Sequence, residues 1–382
     1  MLKIGVIGLG NIGKVHTKNL MDDLIDGAEL AAVAETAPDA LEDFRARGIN
    51  CFTDATELIN SGTIDAVLIA VPTFLHTPLG VQALGAGLHV MMEKPLACHK
   101  ADAERLLAGR QNEGQIIALM MNQRTNPCYA KLKEWLDAGI IGKLQRVSWI
   151  MTNWFRPEIY FQSSAWRATW NGEGGGVLMN QCPHNLDVLQ WLVGMPERIR
   201  GYCSFGKYHD IDVEDEVTAY MEYPGGVTGL FAASTGEAPG VNRLEIIGDR
   251  GTLKSDGKTA KLMRCEDSVA AFSRSTNELF GSPEITEELF EPSGAINQHA
   301  LILSNFVAAI NGEEELVTPA EEGIKSLELA GAMIYSTWTN STVEFPLDAA
   351  AYETRIKQAE EESKPRTIVK TEVEIDMSKS YR

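Results

Sequence analysis

Three short stretches of the sequence hold residue types that can bind an anion or move a proton. GLGNIG, at residues 8–13, is rich in glycine, which permits a tight turn and close approach of the backbone to a phosphate. Lys94 directly precedes a proline in EKP and offers a positive amine that can stabilise a developing oxyanion. His184 can accept a proton at neutral pH. Each residue has a structural alternative, since Lys94 could be a surface lysine ending a strand and His184 a core histidine satisfied by Asp187.

An alternation of strands and helices positions the first two stretches. Helical spacing separates short apolar runs at residues 2–7, 29–35, 66–72, 88–93 and 115–121, with one further short strand near Cys51. This order predicts an α/β domain over residues 1–122, a parallel sheet with helices on both faces. Ligands of such sheets collect at the carboxyl edge, where both GLGNIG and EKP fall.

The glycine-rich stretch has the context of a dinucleotide-binding turn, because it follows the first strand and opens the first helix. Its predicted cofactor contacts are Gly8, Gly10, Asn11, Ile12 and Gly13. Glu35 ends the second strand, where a carboxylate can bind the ribose hydroxyls and repel a 2′-phosphate, so NAD is favoured over NADP. A solvated acid at a strand end is the alternative. Thr73 and His76 follow the fourth strand and are expected beside the nicotinamide or its ribose, unless His76 caps the next helix.

The second half of the chain has a different pattern, with longer runs and little helix between them. These runs, with helices near 127–138 and 183–193, predict a substrate-binding α+β domain over residues 123–349 with an open, mainly antiparallel sheet. YPGGV and GDRG are typical of the turns that join such strands. The charged segment 350–382 is expected to be an arm on a neighbouring subunit or a frayed tail.

Composition excludes several classes of protein. The 382 residues, 44% hydrophobic and 23% charged, are typical of a soluble chain of two globular domains. The net charge of −19 opposes binding to nucleic acid. The six cysteines lack metal-site or redox-pair spacing, so no metal is expected and reduced thiols in the cytoplasm fit best. The absence of a signal peptide and of an apolar stretch of about 18 residues predicts no membrane association.

The stretches GLGNIG, AVPTFLH, EKP and GGGVLMNQCPHNLD, in this order, resemble the glucose-fructose oxidoreductase / inositol dehydrogenase (Gfo/Idh/MocA) family over residues 2–345. The resemblance implies a Rossmann domain followed by an α+β domain whose sheet often serves for oligomerisation. A homodimer or homotetramer through that sheet is therefore expected. The resemblance also implies that Lys94 is catalytic and that its bond to Pro95 is cis. Glu93 and Lys94 are then expected beside the cofactor.

The same resemblance implies an NAD-dependent dehydrogenase that oxidises a secondary hydroxyl of a sugar, glycoside or cyclitol. Lys94 would stabilise the alkoxide and His184 would be the general base. The residues expected around the substrate are Asn180, Arg124, Trp166 and Asp187, the last orienting the imidazole or capping structure. The family usually has aspartate where this chain has Asn180, and a neutral amide cannot act as a charged proton relay. The alternatives are a reductase of a keto-sugar or another small carbonyl compound, and a non-catalytic NAD-sensing protein.

Overall fold

The early apolar runs pair in parallel because the helix after each strand returns the chain to the same end of the sheet. The protein is described here by a computed structural model over residues 1–364. Six strands form the first sheet in the order β3-β2-β1-β4-β5-β6, which confirms the predicted Rossmann arrangement. They are β1 (Leu2–Ile7), β2 (Ala28–Ala34), β3 (Asn50–Phe52), β4 (Ala66–Ile69), β5 (His89–Met92) and β6 (Ile117–Leu119).

Five helices connect these strands and cover both faces of the sheet. They are α1 (Asn11–Met21), α2 (Glu42–Ala46), α3 (Ala55–Ile59), α4 (His76–Gly85) and α5 (Lys100–Ala108), with 3₁₀ turns at Pro38–Leu41, Thr73–Leu75 and Asn122–Thr125. Strand residues such as Ile4, Val67 and Met91 are fully buried. Burial on both faces explains why these strands read as continuous apolar runs in the sequence.

The second sheet has nine strands in the order β14-β13-β12-β11-β7-β10-β9-β8-β15. Only β7 and β10 pair in parallel among the described strand pairs of this sheet, which confirms a mainly antiparallel architecture. The predicted turns join β9 to β10 and β11 to β12. The strands are β7 (Leu144–Met151), β8 (Arg198–Phe205), β9 (Glu214–Tyr223), β10 (Val227–Ser234), β11 (Asn242–Gly248), β12 (Gly251–Ser255), β13 (Ala260–Cys265), β14 (Ile285–Phe290) and β15 (Val343–Glu344).

Helices pack on one face of the second sheet. Helix α13 lies against β8, where a Cβ at Gly201 would come within 2.4 Å of the Met333 carbonyl oxygen, so only glycine permits this approach. Leu119 of the first sheet touches α13 at Gly323, so both regions share one apolar core. The helices after α5 are α6 (Pro127–Asp137), α7 (Glu158–Gln162), α8 (Trp170–Glu173), α9 (Val177–Asn180), α10 (Pro183–Val193), α11 (Val269–Ser275), α12 (Gln298–Ile310), α13 (Ala320–Thr339) and α14 (Ala349–Glu362).

Two of the late helices occupy positions that the sequence patterns did not indicate. Helix α12 returns to the parallel sheet, where Leu303 and Phe306 join the same buried cluster as Ile4. Helix α14 packs within its own chain through the buried Tyr352 and Ile356. This corrects the expectation of an arm or tail for residues 350–362, while residues 365–382 lie outside the described part. The division at residue 122 stays a prediction.

The six cysteines are all free thiols. Within residues 1–364, no helix combines the length and the apolar character needed to span a bilayer.

Candidate active site

The glycine turn between β1 and α1 is shaped by close backbone contacts. Gly8 has a φ of +90°, and a Cβ there would lie 2.4 Å from the Ala70 carbonyl oxygen. A Cβ at Gly13 would lie 1.9 Å from the Gly8 carbonyl oxygen. A Cβ at Gly10, by contrast, would meet nothing within 4 Å, so the space over this turn is open. This arrangement fits a dinucleotide pyrophosphate at the start of α1.

Glu35 follows β2 and lies beside the glycine turn. The Leu9 N–H donates to its Oε2 over 2.8 Å, and the Thr36 hydroxyl donates to its Oε1 over 3.0 Å. Burial alone would raise the pKa of Glu35, but these hydrogen bonds lower it below its usual value. The carboxylate is therefore ionised at neutral pH, as binding to ribose hydroxyls requires. Its contact with a cofactor stays a prediction.

The turn after β4 contains both Thr73 and His76. Thr73 is buried in a 3₁₀ turn. The two ring nitrogens of His76 lie 2.8 Å from the Pro95 carbonyl oxygen and 3.0 Å from the Val71 carbonyl oxygen. The imidazole thus joins the turns that follow β4 and β5, and neither nitrogen is left for another partner. Cofactor contacts by Thr73 and His76 stay predictions, and this geometry does not favour one through the ring nitrogens of His76.

The turn after β5 presents Lys94, and the Lys94–Pro95 peptide bond is cis, as expected. Glu93 accepts the Lys94 N–H and lies 2.6 Å from His16 Nε2 of α1. Burial would raise the pKa of Glu93, but the hydrogen bond and charge of His16, together with the charges of His299 and Lys94, lower this pKa to about 2. Glu93 therefore anchors the Lys94 turn to α1. Its predicted contact with the cofactor stays a prediction.

Lys94 reaches from the first domain to the second. Its ammonium donates to the backbone carbonyl of Asn180 over 2.9 Å. Burial lowers the pKa of Lys94 below its usual value, although the carboxylates of Glu93 and Glu173 act to raise it. The amine is thus held at the end of α9, directly before the helix that carries His184.

His184 lies in the first turn of α10, because Pro183 occupies the first position of that helix, where its missing N–H costs nothing. The imidazole is buried, and its Nδ1 has no hydrogen-bond partner among the described residues. Burial and the nearby Lys94 charge lower the pKa of His184 to about 3. A neutral ring with an unpaired nitrogen can accept a proton. We refer to Lys94 and His184 as the amine–imidazole pair.

Asp187 is not a partner of His184, which corrects the expectation that it orients the imidazole. Its two carboxylate oxygens accept from Arg124 Nε over 2.8 Å and from Arg124 Nη2 over 2.7 Å. Arg124 also donates to the Val317 carbonyl oxygen over 3.0 Å, and both members of the pair are buried. The expected substrate contacts of Arg124 and Asp187 stay predictions. These residues form a buried ion pair, here named the domain ion pair, that ties the end of the first sheet to α10.

The Asn180 side chain is held by neighbours that the sequence did not single out. The Tyr160 hydroxyl donates to Asn180 Oδ1 over 2.9 Å, and Gln181 Nε2 donates to the same oxygen over 2.7 Å. The amide nitrogen donates to Glu173. These contacts fix the orientation of the Asn180 amide and engage one of its two N–H groups. Substrate binding by Asn180, for which the second N–H could serve, stays a prediction.

The three tryptophans before the glycine run differ in position. Trp166 is half-buried, with its ring 4.9 Å from the Arg167 guanidinium, so its predicted substrate contact stays open. Trp170 is a core residue that packs 4.9 Å from Trp338. Trp154 packs against the core and donates to the Met151 sulfur.

Another buried carboxylate, Glu214, supports the glycine run before Asn180. Its Oε1 accepts from the Gly176 N–H over 2.9 Å and from the Leu178 N–H over 3.0 Å, and burial raises the pKa of Glu214 to about 7. The only sequence signal for Glu173 was its place immediately before this run. The sequence contains no such signal for Glu214, whose partners lie far along the chain, or for Tyr160, whose partner lies across a loop.

Comparison with known families gives two matches in chain order. Residues 2–121 match the "Oxidoreductase family, NAD-binding Rossmann fold" of GFO/IDH/MocA, and residues 129–254 match the "GFO/IDH/MocA C-terminal domain". A myo-inositol 2-dehydrogenase of Thermotoga maritima is 28% identical over 67% of this chain and 75% of its own length.

Solved structures show the same architecture. The WlbA dehydrogenase of Bordetella pertussis, in complex with NADH and UDP-GlcNAcA, superposes with a TM-score of 0.76 at 25% identity, covering 91% of this chain and 99% of that one. A levoglucosan dehydrogenase in complex with NADH gives a TM-score of 0.77 at 20% identity, over 91% of this chain and 99% of its own. At that identity the second likeness concerns the fold.

Proposed function

The chain is an NAD-dependent oxidoreductase of the GFO/IDH/MocA family, and from this premise we propose that it oxidises a secondary hydroxyl of a sugar, glycoside or cyclitol. The observation that carries the proposal is the amine–imidazole pair at the carboxyl edge of the parallel sheet. Lys94 comes from the first domain and His184 from the second, and the charge of Lys94 acts directly on His184.

The two groups suit complementary tasks. The ammonium of Lys94 can donate to the reacting oxygen and stabilise the negative charge that develops there. The imidazole of His184 is neutral at pH 7 and its Nδ1 lacks a protein partner among the described residues, so the ring has a free acceptor for the hydroxyl proton. NAD, when bound, accepts the hydride from the substrate carbon. The same groups serve the reverse reaction, so reduction of a keto-sugar or another small carbonyl compound is the alternative direction.

The glycine turn and Glu35 are the residues that would hold the cofactor. The open space at Gly10 suits the pyrophosphate, and the ionised carboxylate of Glu35 suits a ribose with both hydroxyls free. A 2′-phosphate would meet this negative charge. Preference for NAD over NADP is therefore part of the proposal.

The relatives define the range of substrates to test. A myo-inositol dehydrogenase, a UDP-sugar-binding dehydrogenase and a levoglucosan dehydrogenase share the family fold. Formation of NADH should be measured with inositols, hexoses, anhydrosugars, glycosides and UDP-sugars, and consumption of NADH with the matching ketones. NADP and NADPH serve as cofactor controls.

The matched variant is Lys94→Met, which keeps an unbranched side chain of similar length and removes the charge. We expect turnover of the best substrate to fall about a hundredfold to a thousandfold while NAD still binds by calorimetry. Unchanged turnover in this variant would contradict the assigned role. Binding of NAD without turnover in the unaltered protein would favour the NAD-sensing alternative.

The exposed face of the second sheet suits contact between copies of the chain. Tyr202, Tyr220 and Leu230 are large, exposed and set on the adjacent strands β8, β9 and β10. We propose this face as the homo-oligomer interface. An unchanged subunit number in Tyr220→Glu, measured by light scattering, would contradict this interface.

A cytoplasmic location, suggested by the free thiols, is also proposed and is testable by fractionation.

A further inference from the structure

Glu173 is a buried carboxylate directly beside the proposed active site. It is the last residue of α8 and is 2% exposed. One of its oxygens accepts from the Asn180 amide and the other from the Ala168 N–H. A carboxylate so far removed from water is costly unless it is paired or hydrogen-bonded, so its position reflects the groups around it.

Those groups include two cations. The Arg167 Nη1 lies 3.9 Å from Glu173 Oε1. Lys94 interacts electrostatically with Glu173, and the effect is mutual. Burial raises the pKa of Glu173, and the two cations act against this rise. Glu173 thus adds negative charge at a place where the neighbouring residue 180 carries only a neutral amide.

We propose that Glu173 is a positioning residue of the active site, which orients the Asn180 amide and keeps Lys94 in its ammonium form. The proposal rests on the proposed function, because it deepens the role of Lys94. Glu173 acts through these two side chains and does not itself touch the substrate. The family usually has an aspartate where this chain has Asn180. Here the negative charge is carried by Glu173, which is in direct contact with the Asn180 amide.

The ionisable groups that face Lys94 come from several elements. The charged ones are Glu93 in the same turn, Glu173 at the end of α8, and Arg167 and Arg156 in the loops that precede α8 and α7. The others are His184 in α10, Cys182 directly before it and His299 in α12. Glu93 is already bound to His16. Without the charge of Glu173, Lys94 would face two arginines, and its remaining carboxylate, Glu93, would be shared with His16. The ammonium of Lys94 would therefore lose its proton at lower pH.

The first test is Glu173→Gln, which keeps the shape of the side chain and one of its two hydrogen-bond acceptors while it removes the charge. We expect kcat to fall about tenfold or more, with a smaller change in KM, because the ammonium acts on the transition state. We also expect the basic limb of the kcat/KM profile to move to lower pH by about one unit or more. An unchanged basic limb would overturn the proposal.

The second test exchanges the two groups. In the double variant Glu173→Gln with Asn180→Asp, the carboxylate and the amide remain in contact but trade places. We expect the basic limb to return toward that of the unaltered protein, which a purely structural role of Glu173 would not produce. The control is Asn180→Asp alone, which places two carboxylates in contact and should lower activity. Failure of the double variant to restore the limb while it folds and binds NAD would contradict the proposal.

A third measurement separates this proposal from the proposed function. The pH dependence of reductive methylation at Lys94, followed by mass spectrometry, reports the lysine protonation without turnover. We expect half-maximal labelling at lower pH in Glu173→Gln than in the unaltered protein. Equal labelling profiles would overturn the inference even if the dehydrogenase activity were established. A shifted profile would support it even if no sugar were oxidised.

Discussion

The domain ion pair and the amine–imidazole pair both lie at the junction of the two domains, yet they differ in how their polar atoms are hydrogen-bonded. Arg124 and Asp187 face each other through two parallel hydrogen bonds, and Arg124 has a further acceptor in the Val317 carbonyl. Lys94 has one backbone acceptor, and His184 has a buried nitrogen without a partner among the described residues.

This contrast distinguishes a charge that the fold stabilises from charges that the fold disfavours. Burial alone would lower the pKa of Arg124, but the hydrogen bonds and charge of Asp187 raise it, so the guanidinium is stabilised where it is. The pKa values of Lys94 and His184 are both lowered, mainly by burial, so their charged forms are disfavoured. Ionisable groups whose charged forms are disfavoured in the folded protein are typical of functional sites.

The largest effect should follow from breaking the domain ion pair. In Asp187→Ala the guanidinium of Arg124 stays buried, loses its two short carboxylate contacts and keeps only the longer one to Glu322, 3.5 Å from its Nη2. We expect the free energy of unfolding to fall by about 3–5 kcal/mol, measured by urea denaturation at pH 7.

The control for this variant removes both charges. Arg124→Met combined with Asp187→Leu should cost clearly less than Asp187→Ala, because no unpaired charge remains. If the double variant were as unstable as the single one, the pair would not be the source of the loss, and the contrast between the two regions would fail.

A medium effect should appear in the pH dependence of stability. The pKa of His184 is about 3 in the folded protein and about 6.5 in the unfolded chain, so only the unfolded chain binds the proton between these values. This part of the stability is complete above about pH 6.5 and is lost as the pH falls. Between pH 7 and pH 5, we expect His184→Gln to lose about 2 kcal/mol less than the unaltered protein in urea titrations. Parallel losses in both proteins would show that His184 takes up its proton in the folded state.

The smallest effect on the free energy of unfolding should follow from removing the Lys94 charge. Since the pKa of Lys94 is lowered on folding, its ammonium opposes folding at neutral pH. Lys94→Met should therefore leave the free energy of unfolding unchanged or raise it by up to about 1 kcal/mol. A loss as large as that of Asp187→Ala would remove the distinction between the two pairs.

Local patterns in the sequence sufficed for much of the fold and for part of the site. The glycine turn, the strand before it and the helix after it are specified within a few residues, because turn geometry and apolar periodicity are local properties. Pro183 marked the start of α10, and hence the position of His184, for the same reason. The cis bond at Lys94 came from the family resemblance.

Contacts between distant segments were beyond such patterns. Arg124 and Asp187 are separated by 63 positions in the chain, and nothing in either segment marks the other as its partner. The sequence therefore contains no indication that these two candidates bind each other. Glu173 was passed over because a lone acid before glycines has no periodicity, and its meaning depends on Lys94, which the fold brings in from the other domain.

Helix α12 has a practical consequence for dissecting the protein. Its apolar side chains complete the cluster that buries Ile4, although nearly 300 residues separate the two along the chain. A gene fragment that ended at the conventional boundary near residue 122 would leave that surface bare to water and prone to self-association. Cofactor affinity therefore has to be measured on the intact polypeptide, or on an engineered fusion that restores the missing helix by a short linker.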